Sequence, residues 1–162
     1  MRAAFAQDGT ITAANASSIS DGASALILAS ESAVQAQGLK PMAKIVAHAR
    51  SSRLPAEFTL APVDAISSLL KKTGWSADDV DLWEINEAFA MVTMLAMKAH
   101  GLDHSRVNVH GGACAQGHPI GSTGSRIIVT LMHAMHHYGK ERGVAALCIG
   151  GGEATAVAIE KC

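Results

Sequence analysis

The sequence predicts an α/β domain with a layered, mostly parallel mixed sheet. Three observations carry that prediction. From residue 43 onward, short apolar runs alternate with longer stretches of helical period, in the order β-α-β-α-β-α-β-β. Gly74, Gly101 and Gly139 each follow a periodic stretch, where a helix would stop. The chain of 162 residues is 49 % hydrophobic and only 17 % charged, enough apolar side chain to fill a core.

Residues 1–22 are small and polar and read as a loop, with turns at Asp8-Gly9 and Asp21-Gly22. "ALILA" (25–29) is a short apolar run between turn signals, a candidate buried strand. Ser30 is placed to cap a helix that ends before Gly38. "AKIVAHAR" (43–50) reads as a strand and "SSRLPAEFTLAP" as a loop. Pro62 suits a first helical turn, Val63, Ile66, Leu69 and Leu70 follow at helical spacing, and Lys71-Lys72 suit the last turn. "DVDLWEI" (79–85) predicts a strand and residues 86–100 a helix. "RVNVH" (106–110) predicts another strand, and residues 120–138 the next helix. "VAALCI" (144–149) and "ATAVAIE" (154–160) predict a closing antiparallel hairpin around "GGGE". Residues 1–40 stand outside this alternation and are expected to be separate from a domain at 41–162.

The bulk properties exclude several function classes. A formal charge of −1 without basic runs gives no footprint for nucleic acid. No uncharged apolar stretch is long enough for a transmembrane helix, and the first residues lack a signal-peptide core. The three cysteines form no CxxC pair or disulfide framework, which fits a reducing, cytoplasmic compartment. There is no P-loop lysine motif, and no G-x-G-x-x-G follows a strand. No metal site is expected. His133, His136 and His137 share one helix face but have no cysteine or carboxylate in a ligand pattern, and Cys114 with His118 has no second pair.

Chemistry in such a fold gathers at the C-terminal ends of parallel strands. Three candidate groups fall there: Asn86-Glu87, the stretch His110 to His118, and Cys148 to Gly152. His118 sits in "GGACAQGHPIGSTG", where a histidine can serve as acid, base or oxyanion donor or can simply brace a tight turn. Cys148 can be reactive or a small buried apolar residue, and Gly150 to Gly152 can form an anion-binding backbone or a tight hairpin. Asn86 and Glu87 can be functional or can cap a helix start.

"NEAFA", "GGACAQGHPIGSTG" and "LCIGGGEATAVAIE" occur in that order, Asn86 to His118 being 32 residues and His118 to Cys148 30 residues. In this combination the chain resembles the C-terminal part of a thiolase of the acetyl-CoA acetyltransferase type. The upstream "TAANASSISDGASALILAS" resembles the segment that returns to the family's N-terminal domain. The resemblance implies a thiolase-fold half and roles by position. His118 would activate a nucleophilic cysteine, and Asn86 would help complete an oxyanion hole. Cys148 would be the acid/base and Gly150 would offer an oxyanion-hole amide. Glu87 would orient its neighbours, while Ser17, Ala88 and Phe89 would line the coenzyme A tunnel. The substrates would be coenzyme A thioesters, with no further cofactor.

The family's nucleophilic cysteine lies upstream of these motifs, so the resemblance implies that it is missing from this chain. Cys114 would be a packing residue and Cys162 is the last residue. The expectation is therefore a truncated thiolase half, inactive alone and acting with a separate N-terminal half. Two alternatives stand beside it: a non-catalytic coenzyme A-binding or protein-interaction module, and an inactive truncated product. Self-association through the unpartnered residues 1–40 is expected, and neither nucleic acid nor a membrane is an expected partner.

Overall fold

A computed structural model describes residues 1–162. The elements in order are α1 (Glu31–Gln37), β1 (Ala43–Ser52), α2 (Ala61–Thr73), β2 (Leu82–Ile85), α3 (Ala90–His100), α4 (Ala113–Gln116), α5 (Thr123–Tyr138), β3 (Arg142–Cys148) and β4 (Glu153–Lys161). The helix signals act as expected. Ser30 accepts the N–H of Ala33, Pro62 occupies the first turn of α2, and Gly74, Gly101 and Gly139 close their helices in left-handed conformation.

The fold is α/β with a mixed sheet in the order β1-β4-β3-β2. Its balance differs from the expected mostly parallel arrangement. Only β2 and β3 pair in parallel, while β4 pairs antiparallel with both β1 and β3. The cause is the hairpin at 149–152, which folds β4 back between β3 and β1 and so reverses it against both neighbours.

The predicted strand at 106–110 is also corrected. Only one parallel bridge forms there, between Trp83 and Val107. The next residue, Asn108, has φ 48° and leaves the extended path. Its side chain takes over the pairing: Oδ1 accepts the N–H of Ile85 at 2.8 Å and Nδ2 donates to the Ile85 carbonyl at 2.9 Å. Residues 25–29 likewise form no strand and are not buried, since no strand of this chain pairs with them; Ile27 is 97 % and Leu28 75 % exposed.

Helices cover both faces of the sheet. On one face Ala65, Ile66 and Leu69 of α2 pack with Trp83, Ile85, Ala154, Ala156 and Ala158. The alanines of β4 let the helix backbone lie close. On the other face Ile127, Leu131, Ala134 and Met135 of α5 pack on Leu82, Ala145 and Ile159. Strand alternation thus turns Leu82 and Glu84 toward α5 and Trp83 and Ile85 toward α2 and α3. The parallel pair β2–β3 ends together at one edge of the domain, and the candidate residues cluster there.

Candidate functional site

Asn86 is the first residue past β2, anchored by its N–H donating to the Ala146 carbonyl at 2.9 Å. It is 2 % exposed. Residues 86–89 are not helical, so α3 begins at Ala90 rather than at Asn86 as expected. The side-chain Nδ2 of Asn86 donates to His118 Nε2 at 3.4 Å, while its Oδ1 is buried without a partner.

His118 is held from several sides. Its N–H donates to the Ser18 carbonyl at 2.9 Å. Its Nδ1 lies 2.7 Å from Thr123 Oγ1, whose own hydroxyl donates to the Pro119 carbonyl at 3.0 Å. Because that hydroxyl proton is committed, the network assigns the ring proton to Nδ1 and leaves the Nε2 lone pair as the acceptor, facing Asn86 Nδ2. Burial, with a smaller contribution from the Arg126 charge, holds the His118 pKa below its ordinary value. The ring is therefore kept neutral, as a base requires.

Gly117 makes this turn feasible. Its φ is +91°, and a Cβ there would strike the Ser20 hydroxyl. Gly112 has a different reason: a Cβ would collide with the Glu87 carboxylate. That carboxylate accepts the N–H of Cys114 at 3.0 Å and Asn108 Nδ2 at 3.2 Å. Glu87 thus ties the glycine-rich loop to the end of β2.

Cys148 ends β3, is 7 % exposed, and makes no side-chain hydrogen bond to Asn86 or His118. Burial pushes its thiol pKa up, so it is held protonated at neutral pH. Beyond it, the Ile149 and Gly152 N–H groups are used inside the hairpin turn, while the exposed Gly150 N–H has no acceptor in the chain. Cys114 lies four residues before His118 but is not paired with it. Its Sγ faces the Glu87 carbonyl at 3.8 Å, and burial followed by the Glu87 charge raises its pKa. Both effects oppose a thiolate.

Ser17 joins the site from the N-terminal segment. Its N–H and Oγ both donate to the Ala88 carbonyl, at 3.1 and 2.9 Å, and Ala16 bridges Phe89. The Phe89 ring meets Phe5 and Phe58 edge-on, with centroids 5.8 and 6.0 Å away. Ala88 and Phe89 are both half-buried.

The structure brings Asn86 and His118 into contact, places Ser17 against Ala88, and sets Cys148 and Gly150 at the end of the adjacent strand. His133, His136 and His137 lie exposed on α5, and no cluster of metal-ligating side chains occurs. Sequence reasoning missed Thr123, Asn108, Glu84 and Arg126. Only Asn108 carried a signal: asparagine is disfavoured inside strands and tolerates left-handed backbone.

Comparisons with known proteins bear on the family and the fold. Residues 39–161 match the family model described as thiolase, C-terminal domain, and residues 1–32 match that of the thiolase N-terminal domain. A probable acetyl-CoA acetyltransferase of Dictyostelium discoideum is 50 % identical over 161 residues, 99 % of this chain and 39 % of that protein. The acetyl-CoA acetyltransferase structure from Bacillus anthracis superposes with a TM-score of 0.97 at 43 % identity, over 99 % of this chain and 41 % of that one. The Acat5 thiolase of Ascaris suum, solved in complex with coenzyme A, gives a TM-score of 0.90 at 46 % identity, over 99 % of this chain and 42 % of that one. The chain thus spans about two fifths of the length of the proteins it matches.

Proposed function

The chain belongs to the thiolase family, and from that premise we propose that it supplies the histidine and second-cysteine part of an acetyl-CoA acetyltransferase site. The carrying observation is the contact of Asn86 with the neutral His118 beside the ends of β2 and β3, where Cys148 also lies. The substrates are acyl-CoA thioesters, and the compartment is the cytoplasm, as three free cysteines suit.

In this reading His118 Nε2 takes the proton of a nucleophilic thiol, which then attacks the acyl carbonyl. Thr123 keeps the proton on Nδ1, so Nε2 is the basic nitrogen. Asn86, buried and anchored through its backbone, shares an oxyanion site with His118. Cys148, held as a thiol, donates a proton to the leaving group and, as thiolate, takes the α-proton in the Claisen direction. The free Gly150 N–H faces no competitor for a second oxyanion. Ser17, whose own proton goes to Ala88, can accept a hydrogen bond from a coenzyme A pantetheine amide, with Ala88 and Phe89 beside it. Glu87 holds the glycine-rich loop in register.

The nucleophile is not among the cysteines of this chain. Cys114 faces Glu87, Cys148 serves as acid/base, and Cys162 is exposed at the end of the sequence. The cycle therefore needs a cysteine-bearing thiolase N-terminal portion. The test is to combine the chain with such a portion and measure acetoacetyl-CoA thiolysis. Turnover that falls about 10²–10³-fold in His118→Ala supports the reading; turnover indifferent to that change contradicts it. Titration calorimetry of the chain with coenzyme A is expected to give heat that Phe89→Ala weakens.

A further inference from the structure

The mechanism above leaves one buried ionisable group unused. Glu84 is 3 % exposed on the α5-facing side of β2, and its Oε1 has no partner. Arg126, on α5, also has a buried Nε with no partner, and its charge is the cation that acts on Glu84. Buried polar atoms without partners are costly, so two such groups facing each other across β2 and α5 call for a role. Glu84 lies two residues before Asn86, and Arg126 lies one turn after Thr123, which holds the His118 ring. β2 and α5 therefore carry Glu84 and Arg126 just inside the two segments that present Asn86 and His118. Arg126 also reaches the catalytic loop: Nη1 donates to Gln116 Oε1 at 3.2 Å, and Gln116 Nε2 donates to the His110 carbonyl at 2.7 Å.

We propose that Arg126, set between Gln116 and the buried Glu84, is the positioning residue that holds the His118 loop against Asn86. It does so in two ways. Through Gln116 it ties the loop to α5, and through its charge it disfavours a proton on His118. The charges that act on Glu84 are Arg126 from α5 and Glu87 from the segment after β2, and the cross-strand partner on β3 is Ala145, which carries none. Burial raises Glu84 to about 8, so it is neutral while His118 titrates and does not cancel the Arg126 charge.

The inference rests on reading His118 as the base, but its test needs no turnover. The histidine rings of the full chain are followed by NMR against pH. Arg126→Gln is expected to raise the His118 midpoint by about half a pH unit, since the opposing charge is gone. Arg126→Lys keeps a cation on α5 and is expected to leave the midpoint within about 0.2 unit of the parent. Gln116→Ala alters an exposed side chain only, and is expected to speed exchange of the His118 Nδ1–H about tenfold as the loop loosens. An unchanged midpoint in Arg126→Gln overturns the charge role, and unchanged exchange in Gln116→Ala overturns the tie. Should Arg126→Gln not fold, a displaced midpoint in Arg126→Lys overturns the charge role in its place. Failure of thiolysis would refute the proposed function and leave these readings standing.

Discussion

Residues 1–40 and residues 41–162 are held by different forces. No residue of the first stretch is buried, and every buried residue lies between Ala61 and Ile159. The second stretch folds around two apolar clusters on either side of a sheet. The first is pinned mainly by hydrogen bonds at or beside the candidate site: Asn15 at Ala90, Ser17 at Ala88, Ser18 at His118, and Ser24 at Ser122 and Ser125 at the start of α5. Apolar side chains alone do not make a core. The run 25–29 is as hydrophobic as any strand of the sheet, yet it stays exposed because nothing in this chain covers it. The N-terminal segment is organised by the site rather than by burial.

The largest test of that contrast is a matched pair of truncations. Ile66→Ala, inside the α2 cluster, is expected to cost about 2–5 kcal/mol in chemical denaturation. Ile27→Ala, at 97 % exposure, is expected to stay within about 0.5 kcal/mol. Equal losses would erase the distinction.

The second test is pH. Glu84 is raised to about 8 from an ordinary 4.5, so the folded chain holds this proton more tightly than the unfolded one. Its contribution to stability is complete below about 4.5 and is lost as pH rises toward 8. His118 acts in the opposite direction: its depressed pKa gives stability that is present above 6.5 and lost as pH falls. Both groups lie in the sheet-and-helix region. Denaturation midpoints are expected to fall from pH 6.5 to 8.5, and Glu84→Gln is expected to flatten that fall. A slope that survives the substitution would assign it elsewhere.

Much of this division is legible in the sequence. Period, Pro62 and the closing glycines locate α2, α3 and α5, because these signals act within a few residues. The motifs around Asn86, His118 and Cys148 carry the candidate-site residues. Sequence misses what depends on three-dimensional pairing. The balance of parallel and antiparallel pairs follows from where β4 inserts, which no local pattern encodes. The expected strand at 106–110 fails because the Asn108 side chain substitutes for backbone pairing. Cys114, expected to be a packing residue, does not pair with His118, but its contacts with Glu87 could not be read from spacing. Glu84 and Arg126 lack any motif, since their meaning arises only when β2 and α5 pack.

Two smaller perturbations probe the seam between the stretches. Gly117→Ala places a Cβ against Ser20 at φ +91° and is expected to cost about 1–3 kcal/mol, with faster proteolysis of residues 1–30. Melting and cleavage unchanged from the parent would show that the loop and the segment are not coupled there. Ser24→Ala removes hydrogen bonds to Ser122 and Ser125 and is expected to cost about 1 kcal/mol, read as faster amide exchange in the same segment.

The central claim is that the site contains its base and its acid/base cysteine but not its nucleophile. Acetoacetyl-CoA thiolysis by the purified 162-residue chain, parent beside Cys114→Ser, tests it most directly. The expected result is no turnover in either. Turnover by the parent that disappears in Cys114→Ser would contradict it.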